Sequence, residues 1–110
     1  MGLMETPLAH SLDATVRLAI ASRRLVEVCY LGKVRTAEPH DYGIQKGIER
    51  LLVYQLAVAG SPREPKTTGW RLLDVAKIEA CRILDETFTG SRGHMHRRHL
   101  EWDVVHARVE

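Results

Sequence analysis

Apolar positions change their period several times along this chain. Leu12, Val16, Ala19 and Ile20 recur at spacings of three and four, while Arg17, Arg23 and Arg24 fall off that face. With Ser11 as an N-cap and Asp13 in the first turn, this spacing predicts an amphipathic helix over residues 12–24. Residues 1–10 carry Pro7 and no period, which predicts a flexible arm. From Leu25 to Leu31 the period shortens to two: Val26, Val28 and Tyr30 alternate with Glu27 and Cys29, the pattern of a strand. Gly32 and Lys33 read as a turn, and Val34 to His40 as a second strand. That strand should end at Glu38-Pro39-His40, because proline removes a ladder donor.

Gly43 and Gly47 predict a loop over 41–49, followed by a buried central strand from Arg50 to Ala59. Gly60 to Gly69, with two prolines and several small polar residues, predicts a long loop. Trp70 to Leu73 reads as a short strand, Asp74 to Lys77 as one helical turn, and Ile78 to Leu84 as a fifth strand. Glu86 to His99 is a glycine-punctuated basic loop. A last strand over 100–109 shifts phase at Val105, which predicts a bulge. One helix and five or six short strands cannot lie flat without exposing an apolar face. The expectation is therefore a mainly β fold with one N-terminal helix, curled into a small β-barrel spanning residues 11–110 as one domain.

Composition agrees with this. With 110 residues there is room for one core and not two. At 45% hydrophobic and 27% charged residues, that core can be filled. The longest apolar stretch, Leu51 to Gly60, is about half of what a membrane span needs, so no membrane partner is expected. Cys29 and Cys81 lie in apolar runs without a CxxC spacing, and the first residues lack the features of a secretory signal. Free, buried thiols in a reducing cytoplasm are expected. The net charge is only +2, but Arg92, Arg97 and Arg98 fall in a segment without acids, which makes this loop a candidate phosphate contact.

No nucleophile elbow, P-loop or dinucleotide fingerprint occurs, so the chain is not expected to be an enzyme. His94, His96 and His99 do not follow a zinc spacing, and the neighbouring arginines would repel a cation; no metal and no cofactor are expected. Glu38 and His40 are two apart on a strand and so share a face, as many inert pairs do.

The ordered features from Leu18 to Phe88 resemble the WYL domain family. They are Ala19-Ile20, Tyr30, Arg35, Glu38-Pro39-His40, Gly43, Leu51 to Gln55, Ser61, Gly69-Trp70-Arg71, Lys77-Ile78 and Asp85 to Phe88, with Arg92 beyond. The likeness is nearest to small stand-alone members of that family. The naming Trp-Tyr-Leu triplet is replaced here by Leu51 to Val53, and Asp74 stands where an arginine is usual. The resemblance implies an Sm-like or SH3-like barrel in a bacterial regulatory or sensor domain linked to transcriptional regulation. If the strands pair as the family implies, Arg35, His40, Tyr54, Gln55 and Arg71 surround one rim. Arginine forks with an aromatic face suit a nucleotide or a short single-stranded nucleic acid. The competing arrangement pairs Arg35 and Arg71 with Glu38 or Asp74 across strands and puts Tyr54 and Trp70 into the core. A rival function is a non-catalytic interaction module that forms a homodimer through the last strand, with Leu100, Trp102 and Val104.

Overall fold

Pro7 opens the helix α1, which runs Pro7–Ser22 in the computed structural model; the structure describes residues 7–95 and 100–110. The helix starts four residues before the expected Ser11 cap, because proline lacks only an N–H that a first turn leaves unpaired anyway. The expected arm is thus shortened at its far end, and residues 1–6 lie outside the described residues. Leu12, Val16, Ala19 and Ile20 form the buried face of α1, as their spacing requires. The helix stops two residues short of the expected Arg24, where Arg23 turns left-handed at φ 54°.

Among the described residues six strands follow: β1 (Arg24–Tyr30), β2 (Lys33–Gln45), β3 (Ile48–Val58), β4 (Gly69–Asp74), β5 (Ile78–Thr87) and β6 (Val104–Arg108). The helical turn expected near residue 74 is a 3-10 turn, Val75–Lys77. All six strands belong to one antiparallel sheet in the order β4-β3-β2-β1-β5, with β6 also paired to β2. The sheet curls around its core without closing. The mainly β, barrel-like architecture with one N-terminal helix is therefore observed.

Two expectations about β2 are corrected. Pro39 does not end it, and residues 41–49 are not a loop. The strand runs on to Gln45 and turns back through Lys46 and Gly47, both at positive φ (53° and 76°), as a two-residue hairpin requires. Pro39 is tolerated because it falls where β2 changes its second neighbour. Residues 33–37 pair with β1, residues 41–44 pair with β6, and the register against β3 shifts between Pro39 and Asp41. Proline is accommodated at such bulges, where the ladder is already interrupted.

The last strand is shorter than the expected 100–109 and carries the predicted irregularity: its register against β2 shifts between Ala107 and Val105. Asp103 steers the chain into it, donating its N–H to the Ile44 carbonyl at 2.7 Å and accepting from Gly47 N at 2.9 Å.

The core joins the helix face to Val26, Val28, Tyr30, Tyr42, Leu51, Val53, Leu73, Ile78 and Val109. Tyr42 also pins α1, its hydroxyl donating to Asp13 at 2.7 Å. Cys81 pairs across strands with Val28 and packs against the core, where burial pushes its thiol up to about 12. Cys29 follows Val28 and therefore points to the other face of the sheet. Both cysteines are free and only half-buried, so the expected free thiols are present but less deeply buried than expected.

Candidate ligand-binding surface

The middle of β2 places three polar side chains in the interior. Glu38 is 7% exposed, and His40 and Asp41 are fully buried. Buried charges require partners, and arginines from the chain beyond β5 supply them. Arg92 grips Glu38 with both edges of its fork, Nε to Oε1 and Nη2 to Oε2, each at 2.9 Å. Arg108 does the same to Asp41 at 2.9 and 3.4 Å, and Val109 donates its N–H to the His40 carbonyl at 2.8 Å. His40 Nε2 lies 3.0 Å from Glu38 Oε1. An ionised carboxylate only accepts, so Nε2 carries the proton of that bond. Burial alone would raise the Glu38 carboxyl; the hydrogen bonds from His40 and Arg92, with their charges, outweigh it and hold the group below the ordinary carboxylate range.

Aromatic rings surround this cluster. Glu38 is the cross-strand partner of Tyr54, and Tyr54 of Trp70, so the three side chains share one face. Tyr54 and Trp70 meet edge to face at 5.2 Å, Trp70 meets the His40 ring at 4.8 Å, and Phe88 approaches His40 at 5.5 Å. The guanidinium carbon of Arg92 stands 3.5 Å from the centre of the Tyr54 ring. Tyr54, Trp70 and Arg92 are each half-buried, so this side of the cluster reaches the surface.

Gln55 follows Tyr54 and points to the opposite face. There it accepts from Arg35 Nη1 at 3.0 Å and donates to the Thr67 carbonyl at 2.8 Å. Arg35 spends its remaining bonds on the Tyr30 carbonyl. Arg71, cross-strand partner of Val53, lies on this second face and donates to the carbonyls of Trp70 and Lys66.

The five rim residues expected from the sequence are therefore divided. His40 and Tyr54 meet on one face, while Arg35, Gln55 and Arg71 occupy the other. Arg35 and Gln55 are spent on shaping the loop before β4. The competing arrangement misassigns the partners as well: Glu38 is held by Arg92, and Asp74 by Arg50 at 3.2 Å and Lys77 at 3.6 Å.

Of the basic loop, Arg92 is turned inward to Glu38 instead of standing free for phosphate, and Arg97 and Arg98 lie outside the described residues, as do His96 and His99. Among the described residues no three His, Cys, Asp or Glu side chains are grouped to hold a metal. Asp41 opens the stretch expected as a loop, and nothing local marks it as a buried charge. The Glu38–His40 pair was visible as a shared face, but its significance depends on an arginine 54 residues away.

No family model matches this chain, nor does any curated protein or any solved structure.

Proposed function

We propose that this chain is a WYL-like, non-catalytic sensor module that holds a nucleotide or a short single strand at the Tyr54–Trp70–Arg92 surface beside β4. The juxtaposition of Arg92, Tyr54 and Trp70 carries this reading. The half-buried Arg92 guanidinium, seated over the Tyr54 ring with Trp70 edge-on to that ring, adds a planar cation to the aromatic surface on which a base can stack. The loop leading into β4 is bonded to the other face of the sheet through Gln55 and Arg71, and adds charge at the same β4 edge. Arg63 and Lys66 are exposed, Arg71 is half-buried, and Glu64 is the one acid among them, paired with Lys66 at 3.1 Å. In this reading the rings take a base and the loop takes phosphates.

The test is anisotropy of a labelled octamer of deoxythymidine, with AMP as competitor, titrated across a range of salt concentrations. Arg63→Ala and Lys66→Ala are surface changes that leave the cluster intact; each should weaken octamer binding and lower the salt slope by about one. Tyr54→Leu should weaken octamer and AMP alike. Absence of octamer binding at about 50 mM salt ends the reading.

The second reading, a homodimer through the last strand, draws on the exposed side chains there. Val104 and Val105 are 46% and 42% exposed, and Ile48 on the adjacent hairpin is 41% exposed. The indole N–H of Trp102 is buried and finds no acceptor among the described residues. Native sizing of the wild type against Val105→Lys decides it: a monomer in both removes this reading.

A further inference from the structure

Three arginines from three parts of the chain line one cleft of about 350 Å³ between the end of α1 and β6. Arg17 comes from the helix, Arg23 from the corner that follows it, and Arg108 from β6. Ile20, Ala21 and Ala107 form apolar walls, and Glu110 is the one acid lining the cleft. The volume falls at the small end of the range for ligand pockets.

The arginines differ in how they are held. Arg17 gives its Nε to Asp13 at 3.0 Å and its Nη1 to the His106 carbonyl at 3.3 Å, which leaves Nη2 without a partner among the described residues. Arg108 gives Nε and Nη2 to the buried Asp41, leaving Nη1 in the same condition. Both acids thus hold the forks from behind and fix their direction. Arg23 makes no ion pair or side-chain hydrogen bond with any described residue; its Nε and Cδ pack beside Gly90.

Arg23 is also, with Leu31 and Lys46, one of three described non-glycine residues at positive φ. It occupies the left-handed position after α1, its N–H closing back on the Ile20 carbonyl at 3.2 Å. Glycine or asparagine usually fills that position, because a Cβ is strained there. A cation near the carbonyl end of a helix gains a little from the dipole, but any site in the last turn would supply that gain without strain. A strained arginine with no internal partner, beside two others with donors to spare, has the makings of an anion site awaiting its anion.

The geometry points to a binding site for a phosphate group in this cleft, borne by a small phosphate monoester whose carbon portion lies against Ile20, Ala21 and Ala107. Arg17 and Arg108 already pair with Asp13 and Asp41, so the preference for phosphate rests on donors and not on net charge: three forks with N–H groups left over suit a group with three oxygens better than a carboxylate with two. The site is separate from the Tyr54–Trp70–Arg92 surface and does not depend on it.

The test is titration of the full chain with inorganic phosphate and with glycerol phosphate, read by backbone amide shifts and by the thermal midpoint. Shifts should gather at residues 17–23 and 106–108, with glycerol phosphate binding more tightly than inorganic phosphate. Arg23→Gly relieves the strained position, so its unliganded midpoint should equal or exceed that of the wild type while its phosphate affinity falls at least tenfold. Ala21→Glu, which places an acid in the cleft, should also abolish binding, and neither change should alter binding of the deoxythymidine octamer. Equal affinity for both probes assigns the site to free phosphate and overturns the monoester. Unchanged phosphate affinity in Arg23→Gly, or no shifts at these residues with millimolar phosphate, overturns the site itself.

Discussion

The guanidinium of Arg92 covers the Tyr54 ring at 3.5 Å while its fork holds both oxygens of Glu38. One side chain from the segment after β5 thus neutralises a buried acid on β2 and stacks on an aromatic of β3. The pairing of Glu38 with Tyr54 across these strands is what allows both contacts at once.

Replacing Arg92 by alanine should therefore cost about 2 kcal/mol, the cost of leaving a buried carboxylate with only His40 for support. Lysine keeps the charge but not the fork or the flat stacking face, and should recover roughly half of the loss. Urea unfolding of the three proteins reads this directly. A loss below about 0.5 kcal/mol for the alanine variant would mark the contact as an ordinary solvated ion pair.

Acid should weaken the fold through the same cluster. Burial works against the Glu38 carboxylate, but His40 and Arg92 hold its folded value below the ordinary 4.5. Between the folded and unfolded values the unfolded chain binds more protons, so stability rises with pH across that window. The contribution is complete above the unfolded value and is lost as pH falls through the folded one. Asp13 is lowered too, chiefly by the Tyr42 hydroxyl and then by Arg17, against burial, and acts in the same direction. The difference between wild type and Glu38→Gln isolates Glu38: it should stay constant above about pH 5.5 and shrink below about pH 4.5. A difference that grows on acidification would contradict the assignment.

Much of the fold was legible because period is local. Val26, Val28 and Tyr30 mark β1 without reference to anything distant, and the phase change at Val105 announced an irregular register in β6. The length of β2 was not legible, because Pro39 and Gly43 are strand breakers unless a bulge and a closely approaching neighbour absorb them; both devices are long-range. The rim set from Arg35 to Arg71 failed on a point that period two does contain. Tyr54 and Gln55 are adjacent on one strand and cannot share a face. What no pattern reveals is where an arginine goes: Arg92 and Arg108 reach Glu38 and Asp41 only because the chain after β5 returns across β2.

Gly43 tests how far that return path depends on one missing side chain. It pairs with Arg50 on one side and Val105 on the other, and its φ is not in the left-handed region, so conformational freedom is not the reason for glycine here. A Cβ at this position would overlap the carbonyl oxygen of Val104, a backbone atom that cannot swing aside. Gly43→Ala must therefore push β6 off β2 and loosen the Arg108–Asp41 pair, for a cost of about 2–4 kcal/mol. Gly47→Ala is the control: it sits at φ 76° with open space around it, so it should suffer backbone strain alone, about 1 kcal/mol. Amide exchange should quicken across residues 104–108 in Gly43→Ala while residues 24–30 keep their protection. If both alanines cost the same and exchange in β6 is unchanged, the close approach of β6 to β2 is not what requires the glycine.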